Sequence, residues 1–183
     1  MSLDGRVATE SYPFRGITID EVRSVHRMSL IQKVEYRYSA KRPGEYYDFK
    51  ASVPNMPDAD IDGFFQESDQ RWFHTKCKCP DGIILVQNWP DCVGETSGIM
   101  PSLADYRETG FWVCPRCSFV IKDPQDGKYI AHYPSKSKYA HGWQAGHPIS
   151  PRQRPIDLIN KWKRKNLNKK EFYNSTLGLP YID

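Results

Sequence analysis

Apolar and polar positions change rhythm three times along this chain. "GITID", Gly16 to Asp20, is a short apolar run that ends on two adjacent acids, Asp20 and Glu21. A run of that length reads as a buried strand. Val22, Val25, Met28, Ile31, Val34 and Tyr38 then recur at spacings of three and four. That spacing predicts one helix over 21–39 with a single apolar stripe. "AKRPGE" (40–45) is turn chemistry, and Tyr46 to Val53 predicts a second strand, ended by "PNMP". The acidic stretch after it reads as a loop with one helical turn.

From Arg71 to Tyr133 the texture is different. Short strand-like runs ("RWFHTK", "GIILVQNW", "GFWVC", "SFVIK", "KYIAHY") are separated by turn residues and cysteines. Such a pattern predicts a small β unit clipped by metal. The last third turns helical. Pro155 marks a helix start, with Ile156, Ile159 and Trp162 on one face. A second helix is predicted over 169–175, terminated by Gly178 and Pro180.

Composition adds a constraint. A chain of 183 residues can bury one core, with room for a small satellite. Its mean hydropathy of −0.68 is polar for a self-sufficient domain, which suggests a part of something larger. Aromatic content of 13% argues against disorder. Charge is unevenly spread. The segment 54–70 carries Asp58, Asp60, Asp62, Glu67 and Asp69 and no Lys or Arg, whereas 151–173 is strongly basic. A basic segment suits a phosphate backbone or an acidic partner surface, and equally a solvated helix face. The sequence has neither an apolar run of membrane-span length nor a signal-peptide pattern, so a soluble, intracellular protein is expected. Five cysteines in that setting point to metal rather than disulfides.

Cys114-Pro-Arg-Cys117 has the spacing of a metal knuckle, in which a tight turn aims two thiolates at one ion. The matching half is Cys77-Lys-Cys79, one residue tighter. Together these four predict a closed structural Zn²⁺ site. His74, three residues before Cys77, and Cys92 are alternative ligands. His132, His141 and His147 fall at no helical ligand spacing and read as ordinary surface or core histidines.

Asp20 and Glu21 pose a different question. In P-loop ATPases a strand-terminal Asp holds Mg²⁺, and the Glu after it orients the attacking water. Acids at a strand end or helix start are also common for dipole reasons alone. The chain contains no G-x-x-x-x-G-K-[ST], and Gly127-Lys128 lacks the preceding glycine. ATP phosphates therefore have no cradle in these residues, and no ATP hydrolysis is expected from the chain by itself.

Several pieces in order alter the weighing. "FRGITIDEV" is followed by "KASVPNMPDADIDGFFQESDQRWFHTKCKC", then "GFWVCPRCSFVI", "GWQAGHPISP" and "EFYNSTLGLPY". This order, from about residue 14 to 181, resembles the large terminase subunit of tailed bacteriophages, the lambda-type DNA-packaging ATPase. The resemblance implies an α/β fold. Strands near 16–20 and 47–52 would form part of a P-loop-type parallel sheet, with the helix between them as crossover. A small zinc-ribbon-like β insertion would cover 71–133, and C-terminal helices would lead toward a nuclease domain. The implied division is 1–70, 71–133 and 134–183. Asp20 would be the magnesium-binding acid and Glu21 the catalytic base. Ser52 would belong to the motif coupling hydrolysis to motion, although Val53 stands where the family has Thr. Cys77, Cys79, Cys114 and Cys117 would hold zinc. Arg152, Arg154, Lys161, Lys163, Arg164 and Lys165 are candidate contacts to DNA or to the rest of the motor. The intact family protein uses ATP and Mg²⁺. It works on double-stranded DNA as a homo-oligomer with the small subunit and the portal, in the host cytoplasm during phage assembly, with no membrane. Its phosphate loop would precede residue 1 and its nuclease centre would follow residue 183. An incomplete sheet is expected to expose edges and to favour association.

Overall fold

A computed structural model of the protein describes residues 16–24, 31, 47–94 and 110–182. Strand β1 (Gly16–Asp20) and strand β2 (Tyr47–Ala51) lie parallel, in register from Gly16↔Tyr47 to Asp20↔Ala51. Among the described residues this parallel sheet has two strands, so a larger P-loop-type sheet is not what is seen. Its buried side is small. Ile19, Val22 and Ile31 pack together, backed by Ile17, Ile61 and Phe64. Tyr47 and Phe49 on β2 are exposed. The helix expected over 21–39 lies mostly outside the described residues; a 3-10 turn at Val22–Ser24 and a buried helical Ile31 fall inside them.

The acidic stretch is not a loop. Asp60–Glu67 forms helix α1. Two acids in the first turn suit the positive end of the helix dipole. Asp62 also reaches back, its Oδ2 accepting from the Asp58 backbone N–H at 2.8 Å. Ile61 and Phe64 give the helix its apolar contact. The acids hid a helical stripe that the charge pattern alone read as solvated.

Strand β3 (Arg71–Thr75) pairs antiparallel with β7 (Gly127–Ala131). Between them in the chain lie β4 (Val93–Gly94), β5 (Phe111–Val113) and β6 (Val120–Ile121), a meander of very short strands. The run "GIILVQNW" is not a strand. Only Ile83 makes a bridge, to Thr75, and Leu85–Asn88 turns into a 3-10 helix. Ile83 to Val86 are all buried, and the Asn88 Nδ2 donates to the Ile84 carbonyl at 2.8 Å. A short apolar run buried on every side cannot be told from a strand by periodicity.

Helix α2 (Pro155–Trp162) starts on proline, as its missing N–H permits. Helix α3 (Lys169–Glu171) is capped by Asn168, whose side chain accepts from the Glu171 N–H, and widens into a π-turn over Phe172–Leu177. Gly178 ends it at φ 67°, the left-handed cap glycine allows. One apolar core joins these helices to the β unit. It contains Ile83, Leu85, Trp89, Trp112, Ile121, Leu158, Ile159, Phe172 and Leu177. The described residues of the β unit and of the helices after it therefore share a single buried interior.

Asp69 ties the ends of that interior together. It is fully buried. Its carboxylate accepts from Arg71 Nε (2.8 Å), Ser137 Oγ (3.0 Å), His141 Nδ1 (2.8 Å) and the Gly142 N–H (3.1 Å). Burial pushes its pKa up, but these donors outweigh burial and hold it at about 2. Because the folded value is depressed below 3.8, the stabilisation is complete above about pH 4 and is lost as pH falls toward 2. Asp69→Asn removes the charge and leaves Arg71 and His141 without their anion. Urea unfolding at pH 7 is expected to show a loss of about 2–3 kcal/mol; a loss under about 0.5 kcal/mol, the level of an ordinary surface change, would contradict this role.

Candidate metal centre

Two loops are each closed by backbone pairing, and each presents cysteines. After β3 the chain leaves the sheet at Thr75 and returns at Ile83. Thr75 and Ile83 exchange both backbone hydrogen bonds at 2.8 Å. The loop between them carries Cys77 and Cys79. Gly82 makes the return possible at φ 68°, where a Cβ would stand 2.5 Å from the Thr75 carbonyl oxygen. Between β5 and β6, the Cys114 N–H donates to the Phe119 carbonyl (2.9 Å) and the Ser118 N–H to the Cys114 carbonyl (2.8 Å). This second loop carries Cys114 and Cys117. Arg116 donates to the Gly82 carbonyl, and the Lys78 ammonium sits 5.8 Å from the centre of the Phe119 ring. The loops are thus docked by contacts other than sulfur.

The four sulfur atoms all lie within 4.8 Å of one another, and Cys79 Sγ is 3.9 Å from Cys114 Sγ. A regular tetrahedron with metal–sulfur bonds of about 2.3 Å has sulfur–sulfur edges of about 3.8 Å. The cluster is therefore of the size that four thiolates adopt around one ion, and it could hold a metal. The Cys79 N–H donates to Cys77 Sγ at 3.3 Å, as thiolate ligands in tight turns require.

The thiols of the cluster shift in opposite directions. Burial raises the Cys117 thiol. The Phe119 N–H, the Cys114 and Cys79 thiols and the Lys78 N–H overcome it and bring Cys117 down to about 6. Cys79 moves the other way, to about 12, first because of Cys117 and then by burial. A divalent cation held among the four sulfurs would favour thiolate over thiol ligands.

The alternative ligands are elsewhere. Cys92 is fully buried in the apolar core, its thiol donating to the Leu85 carbonyl at 3.3 Å, and burial pushes it up to about 12. It packs as a small hydrophobe. His74 has its Nδ1 2.7 Å from the Asp81 carbonyl and its Nε2 3.0 Å from His132 Nε2.

The acid pair sits at the C-terminal end of β1. Both side chains are exposed, and the Glu21 N–H donates to Asp20 Oδ1 at 2.9 Å. Ser52 lies just past β2, and its Oγ accepts from the Arg23 N–H at 3.1 Å. Parallel pairing thus brings Ser52 beside the acids. The basic candidates divide. Arg154 forms a two-pronged ion pair with Asp157 (2.9 and 2.7 Å), and Lys161 donates to Thr176 and lies over Phe172. Arg152, Arg164 and Lys165 are exposed; Lys163 is exposed too and also has a partner within the fold.

A second basic surface was not anticipated. Tyr133, Tyr139 and Trp143 are 50%, 76% and 52% exposed. Lys136, Lys138 and Arg71 lie 5.1, 4.7 and 5.5 Å from the centres of those three rings. A signal did exist in the sequence, because no acid occurs between Asp126 and Asp157. Among the described residues no helix is long and apolar enough to cross a membrane.

Cys114→Ser and Cys117→Ser are expected to abolish stoichiometric metal binding and cooperative unfolding of the β unit, measured by elemental analysis and calorimetry. Cys92→Ala is expected to keep the metal and lose only about 1 kcal/mol of stability. Full metal retention in the Cys117 variant would contradict the four-sulfur assignment.

No family model, no curated protein and no solved structure matches this chain.

Proposed function

We propose that this chain is the acid-bearing distal part of a DNA-packaging ATPase of the large-terminase type, stabilised by a structural Zn²⁺ on Cys77, Cys79, Cys114 and Cys117. The observation that carries the motor reading is the juxtaposition at the end of the parallel pair. Asp20, Glu21 and Ser52 emerge on adjacent strands at one edge, linked by the Arg23 N–H to Ser52 Oγ hydrogen bond. In a nucleotide motor of this type these would be the places of a magnesium-binding acid, a water-orienting base and a residue of the motif that couples hydrolysis to motion. Mg²⁺ and ATP, when bound, supply charge neutralisation and the transferable phosphoryl group. The residues of this chain hold the ion (Asp20), orient water (Glu21) and transmit the change to β2 (Ser52). The exposed Tyr47 and Phe49 share one face of β2 and suit a sheet whose face is covered by further structure. Double-stranded DNA, the small subunit, the portal and further copies of the motor are the partners this reading implies. Arg152, Lys163, Arg164 and Lys165 are the basic side chains it offers to them.

Zinc is the metal favoured by the donor set. Four thiolates in tetrahedral spacing select Zn²⁺ or an iron–sulfur arrangement, and a closed set without an open position is structural.

A second reading is favoured by the aromatic–basic surface. Tyr133, Tyr139 and Trp143 with their cations form a platform of the kind that stacks nucleobases and tracks phosphates. A nucleic-acid-binding module needs nothing from the acid pair.

Mixing the chain with a polypeptide carrying the phosphate-loop half of a packaging ATPase separates the two. The motor reading expects ATP turnover in the mixture, lost by at least about a hundredfold in Glu21→Gln. Association of the halves without turnover overturns it. Trp143→Ala and Tyr139→Ala are expected to weaken single-stranded DNA binding by about tenfold each if the platform stacks bases, measured by fluorescence anisotropy.

A further inference from the structure

We propose that His74 and His132 form a second, solvent-open site for a divalent transition-metal ion, separate from the four cysteines. His74 lies on β3 and His132 directly follows β7, so the antiparallel pair holds both. Their Nε2 atoms are 3.0 Å apart, with the rings inclined at 61°. Two imidazole nitrogens bound to one ion at about 2.0–2.1 Å are separated by about 2.9 Å at a right-angle bite and about 3.4 Å at the tetrahedral angle. The observed separation falls in that span, toward the tetragonal end.

The tautomer of His74 is fixed in the sense a metal needs. Its Nδ1 is 2.7 Å from the Asp81 carbonyl oxygen. A carbonyl oxygen can only accept, so Nδ1 carries the hydrogen, and in the neutral ring Nε2 then holds the lone pair. An imidazole that donates its far N–H to a backbone carbonyl is the outer-shell arrangement that orients metal-ligating histidines. His132 is placed by its own backbone, the N–H donating to the Gln70 carbonyl at 3.2 Å, and by the Trp72 ring at 6.3 Å. The two Nε2 atoms are within hydrogen-bond distance of each other, with the donor set by the tautomer of each ring. An ion at this site would need the Nε2 lone pair of both neutral imidazoles.

The two residues are 58 positions apart, and no spacing rule joins them. Both rings reach solvent, so water completes the coordination. The ion therefore binds more weakly than one in the closed cysteine cluster and exchanges readily. It also bridges β3 to the end of β7, beside the Asp69 network.

The test is calorimetric titration of the zinc-loaded, untagged chain with Ni²⁺, with released zinc monitored in parallel. The expected result is one equivalent of Ni²⁺ bound without zinc release, and a raised thermal midpoint. His74→Ala and His132→Ala are each expected to weaken that equivalent by about tenfold or more, while His147→Ala leaves it unchanged. As a check independent of folding in the variants, the bound ion's spectrum in the wild-type chain is expected to report two imidazole nitrogens. Absence of a second equivalent, or one that survives both substitutions with zinc and fold retained, overturns the assignment.

Discussion

The structure of the β unit depends on bringing four sulfur atoms within 4.8 Å. Strands of two or three residues cannot hold a sheet by hydrogen bonds and side-chain burial alone. The Thr75–Ile83 pair and the Cys114–Phe119 turn shape two loops, and the four cysteines meet where those loops dock. Once they meet, Trp112 and Ile121 have a partner face in Ile83, Leu85 and Trp89. Helix α2 and the π-turn then close the same core with Leu158, Ile159, Phe172 and Leu177. A metal ion held by the four thiolates would act at the point where these loops meet, and its binding energy would be in effect folding energy for this unit.

A buried anion plays the complementary part at the other end. Asp69 gathers donors from β3 and from the segment after β7, so the polypeptide that carries Tyr133, Tyr139 and Trp143 is held by a fully satisfied carboxylate. "SDQR" is therefore a structural device. Ser68 accepts from the Gln70 N–H and donates to the Phe65 carbonyl, Gln70 reaches back to Gln66, and Arg71 pairs with Asp69. Rigidity here gives the aromatic–basic surface a defined shape, which a stacking platform needs and a solvated loop lacks.

Local signals were legible in the sequence, and distant pairings were not. The two cysteine pairs, the strands around Ile17, Trp72, Trp112 and Ile130, the proline start of α2 and the Gly178 stop all follow from spacings of a few residues. The run Ile83–Trp89 misled because burial on all sides erases periodicity, and α1 was hidden by its own first-turn acids. The choice among ligands needed three dimensions. Cys92 is as good a thiol as any in one dimension, but packing puts it in the apolar core. His141 finds Asp69, and His132 finds His74, across most of the β unit. Nor could charge alone say that Arg154, Lys161 and Arg71 each have a partner within the fold, or that Arg71 and Lys136 also lie beside exposed aromatic rings.

The most direct test of the central claim is zinc K-edge X-ray absorption on the natively purified chain. Four sulfur scatterers at about 2.3 Å, with no first-shell nitrogen or oxygen at one equivalent of metal, is the predicted result. A spectrum with mixed nitrogen and sulfur ligation at one equivalent, or a folded chain that carries no metal, would contradict it.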